Sequence, residues 1–277
     1  KSNAQLWLKM IKYLHSKGVA RNIMFEYGHS YGFLVNEYLQ TGDSVLLESI
    51  DNFSSDEYYE VFTELRAFNE TLPDADKIYF AGIDLDRGVY PIAKALEYLL
   101  PDENKPVPDS ISLNVGSIRS LADYNDYKLN EQENIKAYMS RGFQFKTNST
   151  LDLVHADFMK HKEYYKTYLG ADYSAFQQII EDEYLARKQW MEYESSGAIQ
   201  EYIYRENYMY RRFLVEHAAN EGGWFGQFGR CHTTQDTQEN NSCEWFKFRS
   251  LAQRITNDAN LDLHNAVMTI AIVYDSD

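Results

Sequence analysis

Apolar residues recur at helical spacing near the start of the chain and then give way to a short continuous apolar run. Over residues 3–17 they return every three or four positions, which predicts a helix that ends at Gly18. The run NIMFE, residues 22–26, predicts a buried strand. Helical spacing resumes at about Ser30 and stops at Thr41. The chain therefore opens with a helix, a strand and a second helix.

The same alternation continues in the next part of the chain. A helical pattern covers about 55–69, KIYFAGIDL at 77–85 predicts a second buried strand, and a helix follows from Pro91 to Leu100. This order, with connections well over ten residues long, implies parallel pairing with right-handed crossovers. We therefore predict the α/β class, with a mostly parallel central sheet flanked by helices.

Proline marks the best internal boundary. The stretch PDENKPVPD, residues 101–109, carries three of the five prolines. Beyond it the chain becomes helical and rich in Glu, Lys, Tyr and Gln, which indicates long paired helices and thus a long helical insertion. Within one structural domain we predict an α/β segment at 1–105, a mainly helical arm or lid at 106–220 that covers the cleft, and a return to the α/β core at 221–277.

Strand character returns in the last part of the chain. GGWFGQFG, residues 222–229, and AVMTIAIVY, residues 266–274, are the apolar runs that predict it. The first of these runs leads directly into Arg230, Cys231 and His232.

Composition narrows the set of partners. The 277 residues suffice for one large domain or two small ones, and the net charge of −15 argues against nucleic acid or an anionic membrane. No run approaches the roughly 18 apolar residues of a membrane span. The 23 tyrosines favour helix packing near solvent over a carbohydrate-binding surface. Because the chain begins at Lys1 within a helical pattern, we expect a trimmed product, so a cytoplasmic and an exported location both stay open.

The two cysteines are close in sequence. Cys231 and Cys243 flank the polar stretch TTQDTQENNS. They suit a disulfide in an oxidising compartment, which would stabilise the fold by at most about 3 kcal/mol, and two reduced thiols suit the pattern equally. No C-x-x-C spacing points to zinc.

Ionisable residues follow the predicted strands. Glu26 and His29 follow the first strand, Asp84 ends the second, and His232 follows the run at 222–229. Ligands of open parallel sheets bind beyond the carboxyl ends of the strands, which favours a site at this rim. Each residue also has a structural interpretation: Glu26 as a helix cap, Asp84 as a turn cap, and His232 as a hydrogen-bonded histidine of the core.

The available side chains favour water as the nucleophile. P-loop, G-x-G-x-x-G and H-E-x-x-H motifs are all missing from the sequence. A His or Glu would then act as the base and an Arg would stabilise the oxyanion. Cys231 and His232 point to opposite faces if both lie on a strand, which argues against a thiol mechanism.

Several motifs in order along the chain resemble the erythromycin esterase-like family, whose members are also labelled succinoglycan biosynthesis proteins. They are IMFEYGHSYGFLVNEYLQTGD, YFAGIDLD, YRENYMYRRF and FGQFGRCHTTQ, spread between about residues 4 and 256.

The resemblance implies a metal-independent esterase that needs no cofactor. A Glu and His pair would activate water on a small-molecule ester or lactone. Carried over by position, Glu26 is an acidic site residue, Arg205 and Glu206 are helix-borne residues facing the cleft, and His232 is the site histidine. The candidate residues are therefore, as catalytic groups, His232, Glu26, Arg230 and Arg205, and, as substrate-binding groups, His29, Asp84 and Glu206.

The chain departs from the family in two places. The leading Gly-Glu-x-x-His-Gly motif, which should supply the general base, has no counterpart and would lie upstream of Lys1. The later strand carries His232 alone, where the family has a His-Asn-x-His pair. A non-catalytic surface-polysaccharide accessory or ligand-binding protein therefore stays open as an alternative. A haem- or metal-binding relative, with His29, His232 and Glu26 as ligands, is the third.

Overall fold

The computed structural model describes residues 2–48, 56–86, 88–123, 141–194, 198–235 and 248–270. Its strands are β1 Asn22–Gly28, β2 Tyr79–Asp84 and β3 Trp224–Gln227. Its α-helices are α1 Ser2–Ser16, α2 His29–Thr41, α3 Ser44–Glu48, α4 Asp56–Glu70, α5 Val89–Tyr98, α6 Ser112–Ala122, α7 Arg141–Lys160, α8 Lys162–Leu169, α9 Tyr173–Gln177, α10 Tyr184–Glu194, α11 Ala198–Ala219 and α12 Leu251–Asn257. Short 3₁₀ turns cover Asp74–Asp76, Gly170–Asp172 and Arg230–Thr233, and a π-helical turn covers Gln178–Glu183.

The described strands form one parallel sheet in the order β2-β1-β3. Asn22 of β1 lies opposite Tyr79 of β2 on one side and Trp224 of β3 on the other. The predicted α/β class, with a parallel sheet flanked by helices, is confirmed.

Apolar side chains cover both faces of the sheet. Ala81 and Ile83 of β2 form one buried cluster with residues of α11 and α12, and Met24 of β1 packs against it. Phe25 follows Met24 and therefore points to the opposite face. On that face the centroid of its ring lies 5.2 Å from the ring centroid of Trp7 in α1 and 5.1 Å from that of Phe80.

A β-bulge interrupts β1 close to its carboxyl end. Phe25 lies opposite Gly82, whereas Gly28 lies opposite Asp84, so β1 has one more residue than β2 over this interval. The bulged backbone approaches Gly82 so closely that a Cβ atom there would lie 1.9 Å from the carbonyl oxygen of Gly28. Only glycine fits at position 82 without a backbone shift.

The chain forms two compact units. The first comprises 1–28, 67–85 and 188–277, and the second comprises 29–66 and 86–187. The first contains the sheet. The predicted arm at 106–220 and its role as a cover for the cleft stay predictions, and residues 124–140 lie outside the described part of the chain.

The second unit has an aromatic core of its own. Tyr165 lies 5.1 Å from Phe158 and stacks on Phe176 at 5.6 Å, measured between ring centroids. Tyr165, Tyr168 and Tyr184 are fully buried or nearly so. These tyrosines pack helices, as the tyrosine-rich segments predict, but they do so in the interior and not near solvent.

The strand predicted at 266–274 is wrong over its described part. Ala266–Ile270 has no regular secondary structure, and the Met268 side chain is largely exposed. This segment is hydrogen-bonded to residues 233–235, which follow His232 in the sequence. Thr269 Oγ1 donates to the Thr233 carbonyl at 2.9 Å, and Gln235 Nε2 donates to the Val267 carbonyl at 3.0 Å. It makes no ladder with a described strand, and a β-branched apolar run is not a strand without such a partner. Residues 271–274 lie outside the described part.

Two further findings bear on the sequence predictions. No described helix combines the length and the apolar character that crossing a membrane requires. Cys231 is disulfide-bonded, whereas its candidate partner Cys243 lies outside the described residues.

Candidate active site

Acidic residues occupy the carboxyl ends of the two longer strands. Glu26 lies in the bulge of β1, two residues after Met24. Asp84 is the last residue of β2 and only 1% exposed. Both belong to the unit that contains the sheet.

Arg205 of α11 joins these two acids. Its Nε donates to Asp84 Oδ1 at 2.8 Å and to Oδ2 at 3.0 Å, and its Nη2 also donates to Oδ2. Nη2 donates in addition to Glu26 Oε1 at 2.5 Å. The arginine is only 5% exposed, so this two-pronged contact with Asp84 fixes the guanidinium plane in a buried setting.

Glu26 connects three parts of the unit. Besides its contact with Arg205, its Oε2 accepts the backbone N–H of Gly229 at 2.6 Å. A Cβ atom at position 229 would lie 3.1 Å from that oxygen, so a larger residue would press on it. The Glu26 side chain is 24% exposed, which makes it the member of this group that meets solvent.

His232 enters the group from the 3₁₀ turn that follows β3. Its backbone N–H donates to the Gly229 carbonyl at 3.0 Å, and its Nδ1 donates to Glu206 Oε1. Its Nε2 lies 3.5 Å from Glu26 Oε1 and 3.4 Å from Arg205 Nη1. Because Cys231 and His232 lie on this turn, the strand alternation used to separate them does not apply; the disulfide of Cys231 is what removes it as a thiol partner. The segment is thus both a turn and an edge of this group.

The surroundings of His232 stabilise its protonated form. Burial opposes protonation, but the hydrogen bonds and charges of Glu206 and Glu26 outweigh it and raise the pKa of His232 to about 9. At neutral pH both ring nitrogens therefore carry protons. The 3.4 Å approach between His232 Nε2 and Arg205 Nη1 then places two cationic donors side by side.

The partner groups shift in the complementary direction. Burial acts to raise the pKa of Glu26, but the hydrogen bond from His232 and the charge of Arg205 prevail and hold it well below its usual range. Burial opposes the charge of Arg205, but Asp84 and Glu26 raise its pKa above the ordinary value. We call the set Glu26, Asp84, Arg205, Glu206 and His232 the rim cluster. Among the described residues, no group of three or more His, Cys, Asp or Glu side chains is arranged to hold a metal ion.

Two further residues were predicted for the site, Arg230 and His29, and their roles there stay predictions. Arg230 is exposed at the first position of the turn that carries His232. His29 is half-buried at the start of α2, in the other compact unit. At that helix start the Ser30 N–H donates to Asp86 Oδ2 at 3.0 Å, so Asp86 caps this helix, and the capping interpretation of Glu26 stays a prediction.

Sequence reasoning from strand ends missed how the rim cluster is held together. No feature of the sequence indicated that the Gly229 amide would bind Glu26. For Arg205 the sequence did carry an indication. Met209 and Phe213 follow it at intervals of four, so an arginine occupies the apolar stripe of α11. A charge in such a stripe requires a buried partner.

The sequence matches no protein-family model and no curated protein. Its structure is similar to that of a succinoglycan biosynthesis protein, with 17% identity and a TM-score of 0.51 over 94% of this chain and 59% of the other. The chain has that protein's fold. This likeness confirms, at the level of fold, the resemblance drawn from the ordered motifs.

Two further solved structures match with lower TM-scores. One is a Bacillus cereus protein, with 18% identity and a TM-score of 0.48 over 90% of this chain and 58% of the other. The other is a mutant of erythromycin esterase EreC in its open conformation, with 17% identity and a TM-score of 0.48 over 90% of this chain and 62% of the other. The chain spans less than two thirds of each of these proteins.

Proposed function

We propose that the chain is an esterase-type hydrolase that acts on an ester or lactone at the rim cluster. The observation that supports this is the pair of cationic donors, Arg205 Nη1 and His232 Nε2, 3.4 Å apart. One oxygen atom can accept from both. A tetrahedral intermediate of ester hydrolysis carries its negative charge on one such oxygen.

In this proposal Glu26 is the group that activates water. It is the exposed acid of the rim cluster, and its Oε1 lies 3.5 Å from His232 Nε2. While it pairs with the two cations, its low pKa makes it a weak base. A substrate oxygen that accepts from Arg205 Nη1 and His232 Nε2 leaves the Nη2 contact with Glu26 in place, but it offsets part of the positive charge near Glu26, so the basicity of Glu26 rises.

The proton balance closes within the rim cluster. Water adds to the carbonyl carbon and gives one proton to Glu26, while the new oxyanion accepts from Arg205 and His232. As the carbon–oxygen ester bond breaks, His232 gives its Nε2 proton to the leaving alkoxide. The proton on Glu26 then returns to His232. In this mechanism His232 is the proton donor, whereas the resemblance implies a Glu and His pair that activates water.

Asp84 and Glu206 take supporting roles in this proposal. Both were predicted to bind substrate, but they are 1% and 0% exposed. Asp84 holds Arg205 and Glu206 holds His232. Each acid thus fixes one of the two cations.

The test is ester turnover by the purified chain with a panel of 4-nitrophenyl esters and lactones. In His232→Gln we expect kcat/KM to fall at least about a hundredfold, the scale of a lost oxyanion donor. The matched control is His264→Gln, an exposed histidine of the same unit, which should keep full turnover. Hydrolysis by His232→Gln at the wild-type rate, or no hydrolysis by the wild type, would refute the proposal.

A second function has specific support. At neutral pH the low pKa of Glu26 and the raised pKa of His232 leave both groups ion-paired, which suits a binding site as well as a catalytic one. The protein whose fold this chain shares is a succinoglycan biosynthesis protein. Saturable binding of an acidic oligosaccharide without hydrolysis would favour a ligand-binding protein of surface-polysaccharide metabolism.

A further inference from the structure

Two arginines lie next to each other in the unit that contains the rim cluster. Arg249 precedes α12, and Arg254, within that helix, donates from Nε to the Arg249 carbonyl at 3.1 Å. Within the described part of the chain neither side chain forms a salt bridge. The whole chain has 42 acidic and only 27 basic side chains, so two neighbouring arginines that form no salt bridge with a described residue need an explanation.

Arg254 lies over the helix face that carries Glu206. Its guanidinium carbon is 5.9 Å from the ring centroid of Tyr210. Tyr210 follows Glu206 by four residues on α11 and so shares its face. The negative charge of Glu206, the residue that holds His232, acts on Arg254.

The residue that follows Arg249 is hydrogen-bonded to the segment after His232. The next residue, Ser250, donates from its hydroxyl to the Thr234 carbonyl, and its Oγ also accepts the N–H of Gln253 at 3.1 Å. The Thr234 hydroxyl in turn donates to the Arg230 carbonyl at 3.3 Å. A short run of hydrogen bonds thus fixes the start of α12 to the 3₁₀ turn at Arg230–Thr233.

The arrangement leaves positive charge incompletely neutralised. Arg254 is half-buried, and burial lowers its pKa; Glu206 acts against this and the charge of Arg249 acts with it. Glu206 is already engaged by His232. An anion bound by Arg254 and Arg249 would relieve both the repulsion between the two charges and the desolvation of Arg254.

We propose that Arg249 and Arg254 form a subsite for an anionic group, a carboxylate or a phosphate, carried by the substrate. The assignment of this anion to a substrate rests on the proposed hydrolase function. The ester that suits the chain then has its scissile bond at the rim cluster and its anionic group at α12. Guanidinium groups recognise both kinds of anion through paired N–H donors.

The first experiment measures binding without turnover. Inorganic phosphate and succinate are titrated calorimetrically into the wild type and into Arg254→Gln, Arg249→Gln and Arg211→Gln. Arg211 is an exposed arginine of α11, so its variant is matched in charge. We expect roughly tenfold weaker binding for the first two variants and unchanged binding for the control.

Binding of phosphate alone would indicate a phosphate subsite, and binding of succinate alone would indicate a carboxylate subsite. No saturable binding of either anion by the wild type overturns the subsite. Equal binding by Arg254→Gln and the wild type also overturns it. Arg249 is exposed, so its variant keeps the test valid even if Arg254→Gln folds poorly.

The second experiment links the subsite to catalysis. The ratio of kcat/KM for mono-4-nitrophenyl succinate to that for 4-nitrophenyl acetate should fall about tenfold in Arg254→Gln and stay constant in Arg211→Gln. If no ester is hydrolysed but anion binding depends on Arg254, the subsite stands and the hydrolase proposal fails. If esters are hydrolysed with the same ratio in every variant, the subsite fails and the hydrolase proposal stands.

Discussion

Glu206 governs the protonation of His232. It is fully buried, and its Oε1 accepts the Nδ1 proton of the imidazole. Since Glu26 meets solvent and Glu206 does not, Glu206 is the acid that water screens least. The donor role that we propose for His232 therefore depends more on Glu206 than on Glu26.

Replacing Glu206 by glutamine should lower the pKa of His232. The raised value of about 9 should fall by roughly one to two units toward the ordinary 6.5, because the amide keeps the shape but not the charge. The measurement is an NMR titration of the imidazole C2 proton between pH 5 and 10, with the signal assigned from His232→Gln. The exposed Glu221→Gln should leave the titration unchanged. An unaltered pKa in Glu206→Gln would show that another group holds the proton.

Asp84 is expected to be among the acids on which folding depends most. Asp84→Asn leaves the buried Arg205 without its two-pronged partner, so the free energy of unfolding should fall by about 3–5 kcal/mol. Urea unfolding measures this. The matched change Asp262→Asn breaks a pair with His217 whose aspartate is 78% exposed, and it should cost less than about 1 kcal/mol. Equal losses in the two variants would contradict the importance given to burial.

At the scale of elements, the bulge in β1 is what brings Glu26 to Arg205. It places an additional residue between Phe25 and Gly28 just before the strand ends. Bulges re-aim side chains in this way, and they are common beside functional sites. The close approach of Gly28 to Gly82 makes the bulge depend on a glycine in the neighbouring strand.

Gly82→Ala should therefore destabilise the protein and disturb the site together. The new Cβ would meet the Gly28 carbonyl oxygen at 1.9 Å, so backbone must move, and we expect a loss of at least about 2 kcal/mol in urea unfolding. Gly116→Ala is the control: it lies in α6 with no atom within 4 Å of the new Cβ. Alanine there should stabilise the helix by roughly 0.5–1 kcal/mol. Wild-type stability of Gly82→Ala would mean that the bulge is not needed.

The sequence predicted the elements better than the contacts between them. The apolar runs at 22–26 and 77–85 were enough to predict two parallel strands, since their residues are buried on both faces. The run at 266–274 has the same local pattern, but its described part has no strand beside it. Pairing is a property of the tertiary structure, so the local pattern could not separate these cases.

The site was predictable only in part for the same reason. Strand ends indicated Glu26, Asp84 and His232, whereas Arg205 and Glu206 were found only through the resemblance of motifs. Arg205 meets Asp84 across 121 residues of chain, and no local pattern encodes that distance. The protonation of His232 follows from burial and partners, which appear only in the folded chain.

At the scale of the whole molecule, the rim cluster should make stability depend on pH. The folded pKa of His232, about 9, lies above its ordinary value of 6.5. Its contribution to stability is therefore complete below pH 6.5 and is lost as the pH rises through 9. Glu26 has the opposite sign: its depressed pKa contributes stability above pH 4.5 that is lost on acidification.

We expect the free energy of unfolding to fall between pH 6.5 and 9 in the wild type and to change less in His232→Gln. Urea unfolding at half-unit steps of pH measures both, and the difference between the two curves isolates His232 from groups that titrate nearby. Parallel curves would mean that His232 keeps an ordinary pKa in the folded protein.

The order β2-β1-β3 also has a consequence for how the protein is made. β1 lies in the middle of the sheet, yet β3 pairs with it from near the other end of the chain. During synthesis the ribosome adds Asp84 well before Arg205. Until Arg205 has been added, Asp84 and Glu26 lack the cation that pairs with them in the folded protein, so burying these two carboxylates is costly. The nascent chain should therefore stay open until α11 and β3 have emerged, and a chaperone that holds partly made chains should have its longest contact with this protein over that interval.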